Sequence, residues 1–110
     1  MHAFEVLADP VRRRLLELLA GGEAAAGELT EAVRAEFGIS QPAVSQHLRV
    51  LRDNGFATVR PAGARRLYAV RPQAYEQVDD WLARYRTFWG QRLDALETEV
   101  DRGRRVTGRR

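Results

Sequence analysis

Apolar positions in the first half of the chain recur at steps of three and four, the period of helices with one buried face. Phe4 and Leu7 form a one-sided pair in a short first segment. Val11, Leu15, Leu18 and Leu19 form a longer stripe that predicts a second helix. Asp9 suits its N-cap, Pro10 its first position, and Gly21-Gly22 its end. A third helix is predicted from Gly27 to Phe37, with Leu29, Val33 and Phe37 on one face and Gly38 as its stop. Ser40 then caps a fourth, whose stripe is Val44, Leu48 and Leu51 and whose stop is Asn54-Gly55. The pattern changes at "FATVR" and "RRLYAV", two β-prone runs around the turn signal "PAGA". They predict a hairpin whose loop spans Pro61 to Arg65, closed off by Arg71-Pro72. From about Pro72 to Asp101 the helical period returns. Val78, Leu82, Tyr85, Trp89, Leu93, Leu96 and Val100 form a coiled-coil-like seam, with Trp81 and Phe88 in an adjacent row.

Helix, short glycine-containing turn, helix is the helix-turn-helix arrangement. The polar face of its second helix is unusual. With about 100° per residue and Val44 at the centre of the buried face, Leu48 and Leu51 fall within about 40° of it. Pro42, Ser45, Gln46 and Arg49 lie about 100° to 200° away, and Gln41 projects from the N-terminus. An ordinary solvent face mixes Glu and Lys. This one carries hydrogen-bonding amides, a hydroxyl and one arginine. Gln bonds bidentately to adenine, Ser bonds to donors or acceptors, and recognition helices read bases with their N-terminal residues. Arg49 and Arg52 suit phosphates, and Arg65 beside Arg66 at the hairpin edge suits the backbone or a minor groove.

Charge reinforces that reading. The net charge is +3, but residues 41–72 hold six Arg against one acid, and 102–110 hold five Arg and no acid. Residues 1–40 and 73–101 are each net acidic. Local basic segments suit contact with a polyanion. Two parts follow: a domain over 1–101 for DNA binding and dimerisation, and a basic, disordered tail over 102–110. There is no cysteine, which excludes disulfides and thiolate metal sites. No apolar run is long enough to cross a bilayer and no secretory signal is evident, so the expected partners include no membrane and the expected location is cytoplasmic.

"LADPVRRRLLELL" followed by "ISQPAVSQHLRVLRDNGFATVRPAGARRLYAV" resembles the ArsR/SmtB family of winged helix-turn-helix repressors over roughly residues 3–100. The resemblance implies a mainly α fold of about five helices with a small β-hairpin wing. It implies a homodimer that binds double-stranded DNA at an inverted-repeat operator near its own promoter. It places Ser40, Gln41, Ser45 and Gln46 at bases and Arg49 and Arg65 at the backbone or minor groove, with Arg66 a further DNA-binding candidate. Phe4, Leu7, Leu82, Tyr85, Trp89 and Leu93 would bury apolar surface between subunits.

The chain departs from the metal-sensing members of that family. It has no cysteine, and its two histidines, His2 and His47, lie outside the last helix. Asp79 and Asp80 lack histidine partners there, so Glu76, Asp79 and Asp80 read as a solvated acidic face and no metal or other cofactor is expected. His47, on the flank of the buried stripe, reads as a structural or phosphate-contacting residue. The ending "WLARYRTFWGQRLDALE" is similar to a metal-independent branch, with any small-molecule effector unidentified. Its aromatic residues read as dimer core rather than an effector pocket. The competing function is a dimeric protein-interaction module that uses this aromatic helix, and the basic 41–72 segment argues against it. An enzyme is not expected: Ser40 and Ser45 have no activating base in sequence, and no phosphate loop or metalloenzyme spacing appears.

Overall fold

The structure, a computed structural model, describes residues 1–107, with side chains through 103. Five helices and three short strands follow in the order α1 (Ala3–Ala8), α2 (Pro10–Leu19), β1 (Ala24–Ala25), α3 (Ala26–Phe37), α4 (Gln41–Asp53), β2 (Ala57–Ala62), β3 (Arg65–Val70) and α5 (Glu76–Thr107). A 3-10 turn over Pro72–Tyr75 precedes α5. The chain divides into two compact units, Met1–Val78 and the remainder from Asp79.

The starts of α1, α2 and α4 are each explained by a local donor–acceptor match. The Asp9 carboxylate accepts from the amides of Val11 at 2.8 Å and Arg12 at 3.2 Å, with Pro10 at the first helical position of α2. Ser40 Oγ accepts from the Ala43 amide at 3.3 Å and starts α4. His2 caps α1 with a ring nitrogen, and Glu5 reaches back to the His2 amide, a capping box with histidine in the serine position. Between α3 and α4, Gly38 adopts φ 66°, a left-handed conformation that closes one helix and lets the chain turn into the next.

The core of the first unit is built from the stripes expected. Val11, Leu15 and Leu19 of α2, Leu29 and Val33 of α3, and Val44, Leu48 and Leu51 of α4 are all buried, joined by Val6, Phe56 and Tyr68. Two expected positions differ: Phe37 is only partly buried at the end of α3, and α2 buries a different leucine. Leu16 is buried and Leu18 only partly so, because the buried arc of α2 is turned toward the side where Arg12 holds α1. Arg12 donates to the carbonyls of Val6 at 2.8 Å and Glu5 at 2.9 Å, satisfying acceptors at the end of α1.

The wing is larger than a hairpin. β2 and β3 pair antiparallel from Ala57↔Val70 to Ala62↔Arg65, and β1 adds to the other side of β3 through Ala24↔Tyr68 and Ala25↔Leu67. The sheet order is β1-β3-β2. The loop turns at Gly63, whose φ of 63° suits the first central position of a two-residue hairpin loop. The last helix also runs further than expected. α5 continues to Thr107, so residues 102–107 of the stretch read as a disordered tail have helical backbone, while 108–110 lie outside the described residues. No helix among the described residues is long and apolar enough to cross a membrane.

Candidate nucleic-acid interface

Gln41, Ser45, Arg49 and Arg52 follow one another at steps of four, four and three, so they form one row along α4. Burial of Val44, Leu48 and Leu51 against the core fixes that row outward. The row lines one wall of a groove of about 650 Å³, and α3 supplies another wall through Gly27, Thr30, Glu31 and Arg34. Arg66 and Tyr68 of β3 complete it. Four guanidinium groups (Arg34, Arg49, Arg52, Arg66) and one carboxylate (Glu31) line this space, so its potential is strongly positive. Among the described residues the side chains of Arg34, Arg49 and Arg66 have no hydrogen-bond or ion-pair partner. Arg52 pairs only with its exposed neighbour Asp53, at 3.3 Å.

The candidate residues named from sequence separate into three groups. Gln41, Ser45, Arg49 and Arg66 are brought together at the groove. Gln46 is exposed one position round the helix from Ser45, outside the groove lining but on the same outward half of α4. Ser40 and Arg65 have other engagements. Ser40 Oγ accepts the helix-capping bond, which leaves its O–H free to donate. Arg65 Nη2 donates to Glu28 Oε1 at 2.6 Å. Arg34, Thr30 and Glu31 were not singled out from sequence. Their signal was present: Gly27, Thr30, Glu31 and Arg34 repeat at helical spacing on the face opposite Leu29 and Val33.

His47 sits behind this surface and is half-buried. Its Nδ1 lies 3.4 Å from Arg12 Nη1 and 3.9 Å from Asp9 Oδ1. It therefore belongs to a polar joint between α4 and the α1–α2 corner. A second joint ties α2 to α3. Arg14 Nε meets Glu36 Oε2 at 2.9 Å and Arg14 Nη1 meets Glu17 Oε2 at 3.4 Å. The bond to Glu36 and its charge are the main reasons the Arg14 guanidinium is held above its ordinary value.

The residues expected between subunits carry large apolar exposure. Phe4, Leu82, Tyr85, Trp89 and Leu93 are between 37% and 58% exposed, while Leu7 is partly buried. Along α5 the Trp81 and Tyr85 rings stack at 4.7 Å, and Arg92 lies over the Phe88 ring at 4.6 Å. Glu76, Asp79 and Asp80 are exposed. No group of three or more His, Cys, Asp or Glu side chains that could hold a metal ion occurs among the described residues.

Comparison with known proteins agrees with this arrangement. A family described as "Helix-turn-helix domain" matches residues 7–60. The chain is similar to the HTH-type transcriptional regulator Rv2034 of Mycobacterium tuberculosis, with 38% identity over 100 residues, covering 91% of this chain and 87% of the relative. It is also similar to the transcriptional repressor SdpR of Bacillus subtilis, with 29% identity over 84 residues, covering 76% and 89%. Among solved structures, an ArsR family transcriptional regulator, RHA00566, superposes with a TM-score of 0.68 and 31% identity, covering 80% of this chain and 87% of that one.

Proposed function

Because the chain belongs to the ArsR family of winged helix-turn-helix transcriptional regulators, we propose that it represses transcription as a homodimer on an inverted-repeat operator, including one near its own promoter. Its activity is DNA binding and not catalysis. The observation that carries this reading is the row Gln41–Ser45–Arg49 on α4, set in one groove with Arg66 of the wing. The amide and hydroxyl groups discriminate base edges in the major groove. Gln46 and the Ser40 hydroxyl extend the same reading surface. Arg49, Arg52 and Arg66 hold phosphates on either side and set orientation without reading sequence.

A single reading helix covers only a few base pairs, so an operator of useful specificity needs two. The exposed seam on α5 supplies the means. Leu82, Tyr85, Trp89 and Leu93 on α5, and separately Phe4 and Leu7 on α1, are the apolar residues proposed to be buried between two copies. Two recognition helices related by a two-fold axis then face major grooves about one helical turn apart. The domain over 1–101 carries both functions, and the arginines of 102–110 add sequence-independent attraction to phosphate. A chain without cysteine fits a metal-independent branch of the family. DNase I footprinting of the DNA upstream of the gene tests the reading: the expected result is two protected half-sites in inverted orientation. An unprotected upstream region, at protein concentrations where the dimer forms, would contradict it.

A further inference from the structure

The wing treats its arginines differently on its two faces. Side chains alternate along a strand, so Arg66 and Tyr68 share one face of β3, and Arg65 and Leu67 share the other. Arg66 lines the groove and has no hydrogen-bond or ion-pair partner among the described residues. On the opposite face Arg65 is held by Glu28, in the first turn of α3, at 2.6 Å. Arg60 lies opposite Leu67 in the ladder, on the Arg65 face, and is held in the same way by Glu23 at 2.9 Å. All four of these side chains are substantially exposed.

The Arg65–Glu28 pair does little to place the wing. β2 and β3 are paired along their whole length, and β1 ties β3 to the start of α3. An exposed ion pair is weak in water and is further screened by salt. A DNA phosphate offers Arg65 the same kind of charged oxygen acceptor, with the added gain of counterion release. We propose that Glu28 is a phosphate surrogate: it occupies Arg65 in the free protein and is exchanged for a DNA phosphate when a duplex lies against the wing. Glu28 thereby limits affinity for DNA of any sequence. The exchange frees the Glu28 carboxylate to take up a solution cation as the phosphate loses one, so the pair adds less salt dependence than Arg65 would alone. This rests on the DNA-binding reading above.

The test is fluorescence anisotropy across a salt series, with a duplex from the region upstream of the gene and a random-sequence duplex. Wild type, Glu28→Gln, Arg65→Ala and the double variant are compared. Both positions are exposed, so the core is untouched. Glu28→Gln should tighten both duplexes by about two- to fivefold, the range an exposed ion pair accounts for. It should also steepen the salt slope by up to about one. In the Arg65→Ala background most of that gain should vanish. Unchanged or weaker binding by Glu28→Gln overturns the exchange and makes the pair a strut. A gain that persists in full without Arg65 also overturns it, because Glu28 then acts only as a general negative charge. If wild type binds neither duplex, the DNA-binding reading itself falls; if wild type binds and Glu28→Gln gives no gain, only the exchange falls.

Discussion

Arg49 and Gln46 are both exposed on α4, yet the proposed DNA binding asks different things of them. A guanidinium on a phosphate adds affinity for every sequence, whereas an amide on a base edge adds affinity for one. Arg49→Ala and Arg66→Ala should each weaken operator and scrambled duplexes together and lower the salt slope by about one, as measured by anisotropy at several salt concentrations. Gln46→Ala should cost roughly 1–3 kcal/mol on the operator alone. At this scale the sequence is legible where partners are near in the chain. Ser40 caps α4 by accepting from the amide of Ala43, three residues on, and that signal is local. Arg65 is held by a residue 37 positions away, and no local pattern reveals such a pair. Tyr75 is a similar case. It packs edge-on against Phe56 at 5.4 Å, and burial holds its phenol above the ordinary value of 10.0. The folded state therefore keeps the proton that the unfolded chain releases first. Stability from this group is present below about pH 10 and is lost as the pH rises from there through the folded value. Thermal melts between neutral and strongly alkaline pH should show Tyr75→Phe losing less stability than wild type on the alkaline side.

At the scale of elements, α4 is the best-determined part of the chain because three independent signals coincide: a cap, an apolar stripe and a glycine stop. Leu51 is fully buried on that stripe, so Leu51→Ala should destabilise the first unit by about 2–5 kcal/mol in urea or thermal unfolding. Asp9→Ala removes the acceptor for two amides of α2 and should cost about 0.5–2 kcal/mol in the same measurement. β1 was not legible. Ala24 and Ala25 have low strand propensity and no alternation to display in two residues, and they become a strand only because the edge of β3 is beside them. The end of α5 differs from the end of its apolar seam for another reason. The apolar seam stops at Val100, but nothing breaks the helix there, and the backbone continues through an arginine-rich stretch to Thr107.

For the whole molecule, the opposite treatment of two surfaces matters most. The groove beside α4 is cationic and hydrogen-bonding, and the seam on α5 is apolar and aromatic. A monomer would leave Leu82, Tyr85, Trp89 and Leu93 in water. Analytical ultracentrifugation at micromolar concentration should find one dimeric species, and Leu93→Arg should shift it toward monomer. With no cysteine and no histidine on α5, addition of Zn²⁺ or Cu⁺ should leave operator affinity within a factor of about ten, which is about 1.4 kcal/mol of coupling. The central claim is that the outward face of α4 reads DNA sequence. Its most direct test compares affinity for the footprinted operator and for a scrambled duplex of equal length, at one salt concentration, for wild type and for a variant carrying Gln41→Ala, Ser45→Ala and Gln46→Ala. Wild type should prefer the operator strongly, and the variant should bind both duplexes at the level wild type shows for the scrambled one. Equal binding of both duplexes by wild type, or a preference that survives loss of all three side chains, would contradict it.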